Sequence, residues 1–192
     1  IRRSWERADV REAARLMGVA GVEEAVERAL ALMDGDVKDT GLKALQGLVW
    51  EDGYVGGELR GHVYEDVGPA FLEARRRGVR VAIYSSGSVA AQKLLFGYSV
   101  SGDLLPHIEA HFDTTTGPKK EAASYLDIAR ALGVEVGEVT FLTDHPDEAR
   151  AAMEAGMRVF VAVRPGNAPL PPGEWNTVGS LFEVPGLAVG AA

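Results

Sequence analysis

From residue 66 onward the chain alternates between β-rich runs and amphipathic helical stretches, and each β-rich run ends in a polar cluster. Val79-Arg80-Val81-Ala82-Ile83-Tyr84 ends in Ser85-Ser86-Gly87-Ser88. Val139-Thr140-Phe141-Leu142 ends in Thr143-Asp144. Arg158-Val159-Phe160-Val161-Ala162-Val163 ends in Arg164-Pro165-Gly166, and a shorter strand is expected at His111-Phe112-Asp113. Between them lie helical patterns. Asp66 reads as the cap of one whose inner face is Val67, Ala70, Phe71 and Ala74, stopped by Gly78. A second runs through Phe96, a third from Glu121 to Leu132 with Tyr125, Ile128, Ala129 and Leu132 on one side, and a fourth over Asp147–Ala155. Strands separated by helix-length segments dictate a parallel sheet with helices on both faces. In such sheets ligands bind at the carboxyl ends of the strands, where the polar clusters stand.

The first 65 residues have a different texture. Val22, Ala25, Val26, Ala29, Leu30 and Met33 recur at helical spacing, and Leu42, Leu45 and Val49 resume it after a polar break. Residues 51–65 carry four glycines and read as a loop. Two parts are therefore expected: a helical one over 1–65 and an α/β one over 66–192. A chain of 192 residues, 46% hydrophobic, buries a core without disulfide or metal staples. Having no cysteine, it has no disulfides, thiolate zinc sites or cysteine nucleophile. A net charge of −8 argues against a nucleic-acid backbone as partner. Arg75-Arg76-Arg77, the one compact basic cluster, suits a helix C-terminus. No apolar run approaches the roughly 18 residues of a membrane span, and no signal peptide is visible. A cytoplasmic monomer is the expectation. The chain opens with Ile1-Arg2-Arg3 rather than methionine.

Three clusters at strand ends or helix starts carry candidate chemistry, each with a plainer reading beside it. Ser85-Ser86-Gly87-Ser88 offers hydroxyls, a glycine that lets a ligand approach the backbone, and the N–H groups of the next helix; alternatively Ser88 only caps that helix. Thr116-Gly117-Pro118-Lys119-Lys120 places a lysine where it could neutralise a phosphoryl oxygen, or presents two solvated lysines. Leu142-Thr143-Asp144-His145-Pro146-Asp147-Glu148 puts an acid at a strand tip and a second one turn later, suited to a hard cation; otherwise Asp144 or Asp147 caps the helix.

The order strand–Ser, Lys at a helix start, strand–Asp resembles that of the haloacid-dehalogenase-like phosphatases. The literal strings Leu42-Lys43-Ala44-Leu45-Gln46-Gly47, Tyr84–Gly97, His111-Phe112-Asp113-Thr114, Phe141-Leu142-Thr143-Asp144 and Val163-Arg164-Pro165-Gly166-Asn167 resemble the enolase-phosphatases of methionine salvage, over about Met33 to Asn167. The resemblance implies a Rossmann-like parallel sheet with an inserted helical cap. It also implies Mg2+ as cofactor and a small phosphorylated diketone, 2,3-diketo-5-methylthiopentyl-1-phosphate, as substrate. That substrate would be enolised and then dephosphorylated to 1,2-dihydroxy-3-keto-5-methylthiopentene. By the same resemblance Ser85, Ser86 and Gly87 bind substrate, with Ser85 also catalytic. Lys119 holds the phosphoryl group, Asp144 ligates magnesium, and Glu148 stands behind them.

One departure is large. The family's first motif, a strand ending in Asp-X-Glu-Gly-Thr-Thr that carries the nucleophilic aspartate, is absent from these 192 residues. Met33-Asp34-Gly35-Asp36 imitates it only superficially, because the residues before it keep helical spacing. In the related fold the missing strand lies between Val79–Tyr84 and Val139–Leu142, so an upstream segment carrying it is expected. Without it those two strands would each expose an edge, with buried N–H and C=O groups unpaired at roughly 1–3 kcal/mol each. Two alternatives stay open: a phosphatase of another small phosphorylated metabolite, and a binding protein or catalytically incomplete fragment. His62, His107, His111 and His145 share no metal-binding spacing. His62, in a Gly-His-X-Tyr string shared with the family, is read mainly as a bystander. Trp50 is expected in the helical core, with Tyr54 a candidate for a substrate face.

Overall fold

The computed structural model describes residues 1–187. The chain divides into two compact units, at Arg60/Gly61. Gly61 belongs to the second unit because its N–H donates to the Tyr98 carbonyl, while its carbonyl accepts from Val100.

The first unit is built on α1 (Ala8–Leu16), α2 (Val22–Asp34) and α3 (Thr40–Val55). One core joins Val10, Ala13 and Ala14 to Ala25, Ala29 and Leu32, and to Leu42 and Leu45. The α2 stripe differs from the expected one: Leu32 is buried, whereas Leu30 and Met33 are 55% and 54% exposed. The small residues Ala25 and Ala29 set the close face, and Leu32 falls i+7 from Ala25 on that side. Helices α1 and α3 approach so closely that a Cβ on Gly41 would lie 2.5 Å from the Ala13 carbonyl oxygen. The Asp39 carboxylate caps α3 by accepting from Leu42 N–H at 2.9 Å. Helix α3 continues to Val55, five residues into the stretch read as loop, because Gly53 is covered by Leu59. Trp50 is 45% exposed rather than packed in the core. The core ends at Leu45 and Leu48, and Trp50 lies beyond it. Asp34 closes α2 and Asp36 follows in a turn, so no strand leads into that acidic pair.

The second unit alternates as expected: α4 (Val67–Arg76), β1 (Ala82–Tyr84), α5 (Val89–Gly97), β2 (Ala110–Phe112), α6 (Ala122–Leu132), β3 (Thr140–Thr143), α7 (Pro146–Glu154), β4 (Arg158–Ala162) and β5 (Thr177–Val178). Strand β5 lies in the Pro- and Gly-rich tail, which carries no readable pattern; Val161 N–H and Val163 N–H recruit it through the Asn176 and Val178 carbonyls. Every strand pair is parallel. Helices α6 and α7 supply Tyr125, Ala129, Ala149 and Ala152 to a core against Val159 and Val161 of β4.

The strands form two half-sheets, β1-β2 and β3-β4-β5, rather than one. Among the described residues β1 pairs only with β2, and β3 pairs with β4 alone on one side. Both line a cleft of about 730 Å3 with Ile83, Phe112, Phe141 and Leu142 among its walls. Ile83, Phe141 and Leu142 are consequently only half-buried, although inner strands of parallel sheets are normally covered on both faces.

Asp66 departs from its expected role. It precedes α4, but its carboxylate makes no cap bond. Instead it receives both guanidinium arms of Arg164 at 2.7 Å, the Ser180 hydroxyl at 2.8 Å and Leu181 N–H at 2.7 Å. Those bonds, Arg164 foremost, hold it down at about pKa 2 against the opposing effect of burial.

Candidate functional site

Strand β1 delivers Ser85 at its carboxyl end, and the following loop turns on Gly87. Ser85 Oγ accepts from Gly87 N–H at 3.1 Å, which leaves its own proton to donate to a ligand. Ser86 is exposed. Ser88 caps α5, its Oγ accepting from Ala91 N–H at 3.3 Å, and Asp113 Oδ2 accepts from Val89 N–H at 3.1 Å. The α5 N-terminus is thus already served by an oxygen and a carboxylate. The expectation that its N–H groups face an anion therefore fails at Val89 and Ala91, and the loop hydroxyls remain. Gln92, buried, clamps the loop: its Nε2 donates to the carbonyls of Gly87 at 2.9 Å and Phe112 at 2.8 Å. Its Oε1 meets His111 Nδ1 at 3.1 Å. Burial holds His111 below the ordinary histidine range, which favours its neutral form.

Lys119 is set by aromatic residues. Tyr125, fully buried, donates to the Lys119 carbonyl at 2.6 Å. Tyr84 donates to the Gly117 carbonyl at 2.8 Å, and its ring lies 5.6 Å below the Lys119 ammonium. The two tyrosines stack edge-on at 5.7 Å, and Tyr125 meets Phe141 of β3 at 4.9 Å. Burial raises both phenols above their usual range, so they act as donors. Lys119 is therefore not a solvated lysine. Its Nζ sits 2.7 Å from Glu148 Oε2, the side chains being 20% and 12% exposed. Lys120 does point outward, to Asp147 at 3.0 Å.

Strand β3 ends at Thr143, with Asp144 beyond it. Thr143 Oγ1 donates to Glu148 Oε2 at 2.8 Å and accepts from His145 N–H at 3.1 Å. The α7 cap is His145, whose Nδ1 accepts from Asp147 N–H at 3.2 Å, and neither aspartate performs it. Asp147 is held by Lys120 and Arg150. Asp144 is exposed, and its Oδ2 accepts from Asn167 Nδ2 at 2.9 Å. Among the described residues no three His, Asp or Glu side chains converge as a metal cage.

Lys119, Glu148 and Thr143, next to Asp144, are thus brought together, and Tyr84 ties them to Ser85. His62 is exposed and outside this cluster, and His107 takes no part in it. Sequence reasoning missed Tyr125, Gln92, Asp66 and Asn167 as site-building residues. Only spatial neighbours a few to about 115 positions away define their roles, although Gln92 and Asn167 lie inside strings already singled out.

The comparisons with known proteins bear on the family and the fold. A family model described as haloacid dehalogenase-like hydrolase matches residues 3–156. A protein named enolase-phosphatase E1 from Drosophila grimshawi is 52% identical over 167 residues, covering 86% of this chain and 68% of that protein. One of the same name from Synechococcus elongatus is 52% identical over 153 residues, covering 80% and 64%. One from Drosophila mojavensis is 58% identical over 139 residues, covering 72% and 56%. The chain thus spans between 56% and 68% of the length of these three relatives. Among solved structures, the UTR4 protein of Saccharomyces cerevisiae superposes with a TM-score of 0.81 at 39% identity, over 91% of this chain and 81% of that one. A HAD phosphatase from Thermococcus onnurineus shares the fold, with a TM-score of 0.61 at 21% identity over 91% and 85%.

Proposed function

We propose, from the premise that the chain belongs to the haloacid dehalogenase-like hydrolases, that it carries the enolase-phosphatase activity of methionine salvage. The protein converts 2,3-diketo-5-methylthiopentyl-1-phosphate to 1,2-dihydroxy-3-keto-5-methylthiopentene and phosphate, acting as a cytoplasmic monomer on this small molecule, without nucleic acid or membrane. No described helix is long and apolar enough to cross a membrane. The observation that carries the reading is the Lys119 ammonium, anchored on Glu148 and held over the ring of Tyr84, the residue that precedes Ser85 at the end of β1.

Phosphoryl transfer is mostly positioning and charge compensation. Lys119 directs one N–H toward Glu148 and keeps two for the phosphoryl oxygens. Ser85 donates its hydroxyl proton, and Ser86 with the Gly87 backbone completes the loop. Asp144 offers a hard oxygen at the β3 tip, which fits magnesium, a cation commonly held by one or two carboxylates plus phosphate and water. When bound, magnesium would neutralise charge on the phosphoryl group and polarise the carbonyl for enolisation. Glu148 keeps Lys119 oriented rather than ligating, being taken by Lys119 and Thr143. The resemblance implies an attacking carboxylate in a motif that these 192 residues do not contain. The test is Asp144→Asn, which is expected to abolish turnover with circular dichroism and Tm unchanged; near-normal turnover would refute the assignment.

A further inference from the structure

The loop after β4 reaches back to Asp144. Arg164-Pro165-Gly166-Asn167 forms a turn closed by Asn167 N–H donating to the Arg164 carbonyl at 3.0 Å. Gly166 takes φ +92°, and proline precedes it, the pattern of a type II turn. The turn is held from outside. Arg164 is locked bidentately on Asp66, its guanidinium 4.6 Å from the Tyr64 ring, while Tyr64 donates to the Pro165 carbonyl at 3.2 Å.

This frame fixes which way the Asn167 amide faces. Arg164 N–H donates to Asn167 Oδ1 at 2.8 Å, so the amide's oxygen end is occupied by a donor. Its NH2 end then faces Asp144 Oδ2 at 2.9 Å. Reversing the amide would set two donors against each other on one side and two acceptors on the other. Asp144 rests on an exposed loop end with no other hydrogen bond to its carboxylate among the described residues.

We infer that Asn167 is a positioning residue: it engages one oxygen of Asp144 and leaves the other aimed for a divalent cation, with the Asp66–Arg164 pair holding the turn that presents it. The inference rests on the reading of Asp144 as the magnesium ligand. A residue that only orients a ligand typically contributes 10–100-fold in metal affinity.

The experiment is calorimetric titration of the full-length protein with Mg2+, free of substrate, for wild type, Asn167→Ala and Asp144→Asn. Asn167→Ala keeps the backbone closure of the turn, so its metal-free Tm should match wild type. Its Mg2+ dissociation constant should rise about tenfold, and Asp144→Asn should lose detectable binding. Wild-type affinity in Asn167→Ala, with binding lost in Asp144→Asn, overturns the role of Asn167 alone. Wild-type affinity in Asp144→Asn overturns the reading beneath it. A fall in the metal-free Tm of Asn167→Ala that accompanies the affinity loss also overturns the proposal, since Asn167 would then be holding the fold.

Discussion

The Lys119 ammonium lies 2.7 Å from the Glu148 carboxylate, joining the loop before α6 to the first turn of α7. Thr143 donates to the same carboxylate oxygen at 2.8 Å, so Glu148 is bound from β3 as well. The cation is compensated yet retains unfilled donors, the condition for receiving a dianionic group without a large penalty for the empty site.

Removing one partner should therefore hurt more than removing both. Lys119→Met leaves Glu148 with one neutral donor and should cost about 2–3 kcal/mol in urea unfolding. Lys119→Met/Glu148→Leu should recover most of that stability and none of the turnover. A double variant whose loss equals the sum of the Lys119→Met and Glu148→Leu losses, each measured alone, would show that the two side chains are not coupled.

The Gly117 backbone should matter as much as the lysine it leads to. Gly117 has φ +152°, and a Cβ there would lie 2.3 Å from Ser124 Oγ. Gly117→Ala should lower stability by about 2 kcal/mol and displace Lys119. Turnover should fall at least tenfold even in the fraction that remains folded, read as kcat normalised to native protein. Unchanged kcat would mean that the loop tolerates the shift.

Much of this was legible in sequence because period and punctuation decide it locally. The alternation after residue 66, the serine loop after β1 and the acid at the tip of β3 are short-range signals. What was not legible depends on distant partners. Asp66 stands where a helix cap belongs, yet Arg164, 98 positions away, offers a bidentate charged bond that a capped N–H cannot match. On α2, periodicity identified a stripe without distinguishing Leu32 from Met33, a choice made by the alanine-lined approach of its neighbours. Strand β5 has only two residues and exists because β4 presents an open edge.

The Asp66–Arg164 pair predicts a pH dependence. The carboxylate titrates at about 2 in the folded chain against an ordinary 3.8. Its contribution, about 2 kcal/mol, is complete above pH 4 and is lost as the pH falls through 2. The stability gap between wild type and Asp66→Asn, from urea titrations at pH 6, 4 and 3, should therefore be constant down to about pH 4 and then narrow. A gap that stays constant down to pH 3 would contradict the depressed value.

Following enol absorbance and phosphate release together, on full-length protein given 2,3-diketo-5-methylthiopentyl-1-phosphate and Mg2+, tests the enolase-phosphatase reading most directly. An enol signal that precedes or accompanies phosphate, one phosphate per acireductone, and loss of phosphate release on chelation are the expected results. Phosphate released from unrelated phosphomonoesters at equal or higher kcat/KM, with no enol signal from the diketone, would contradict it.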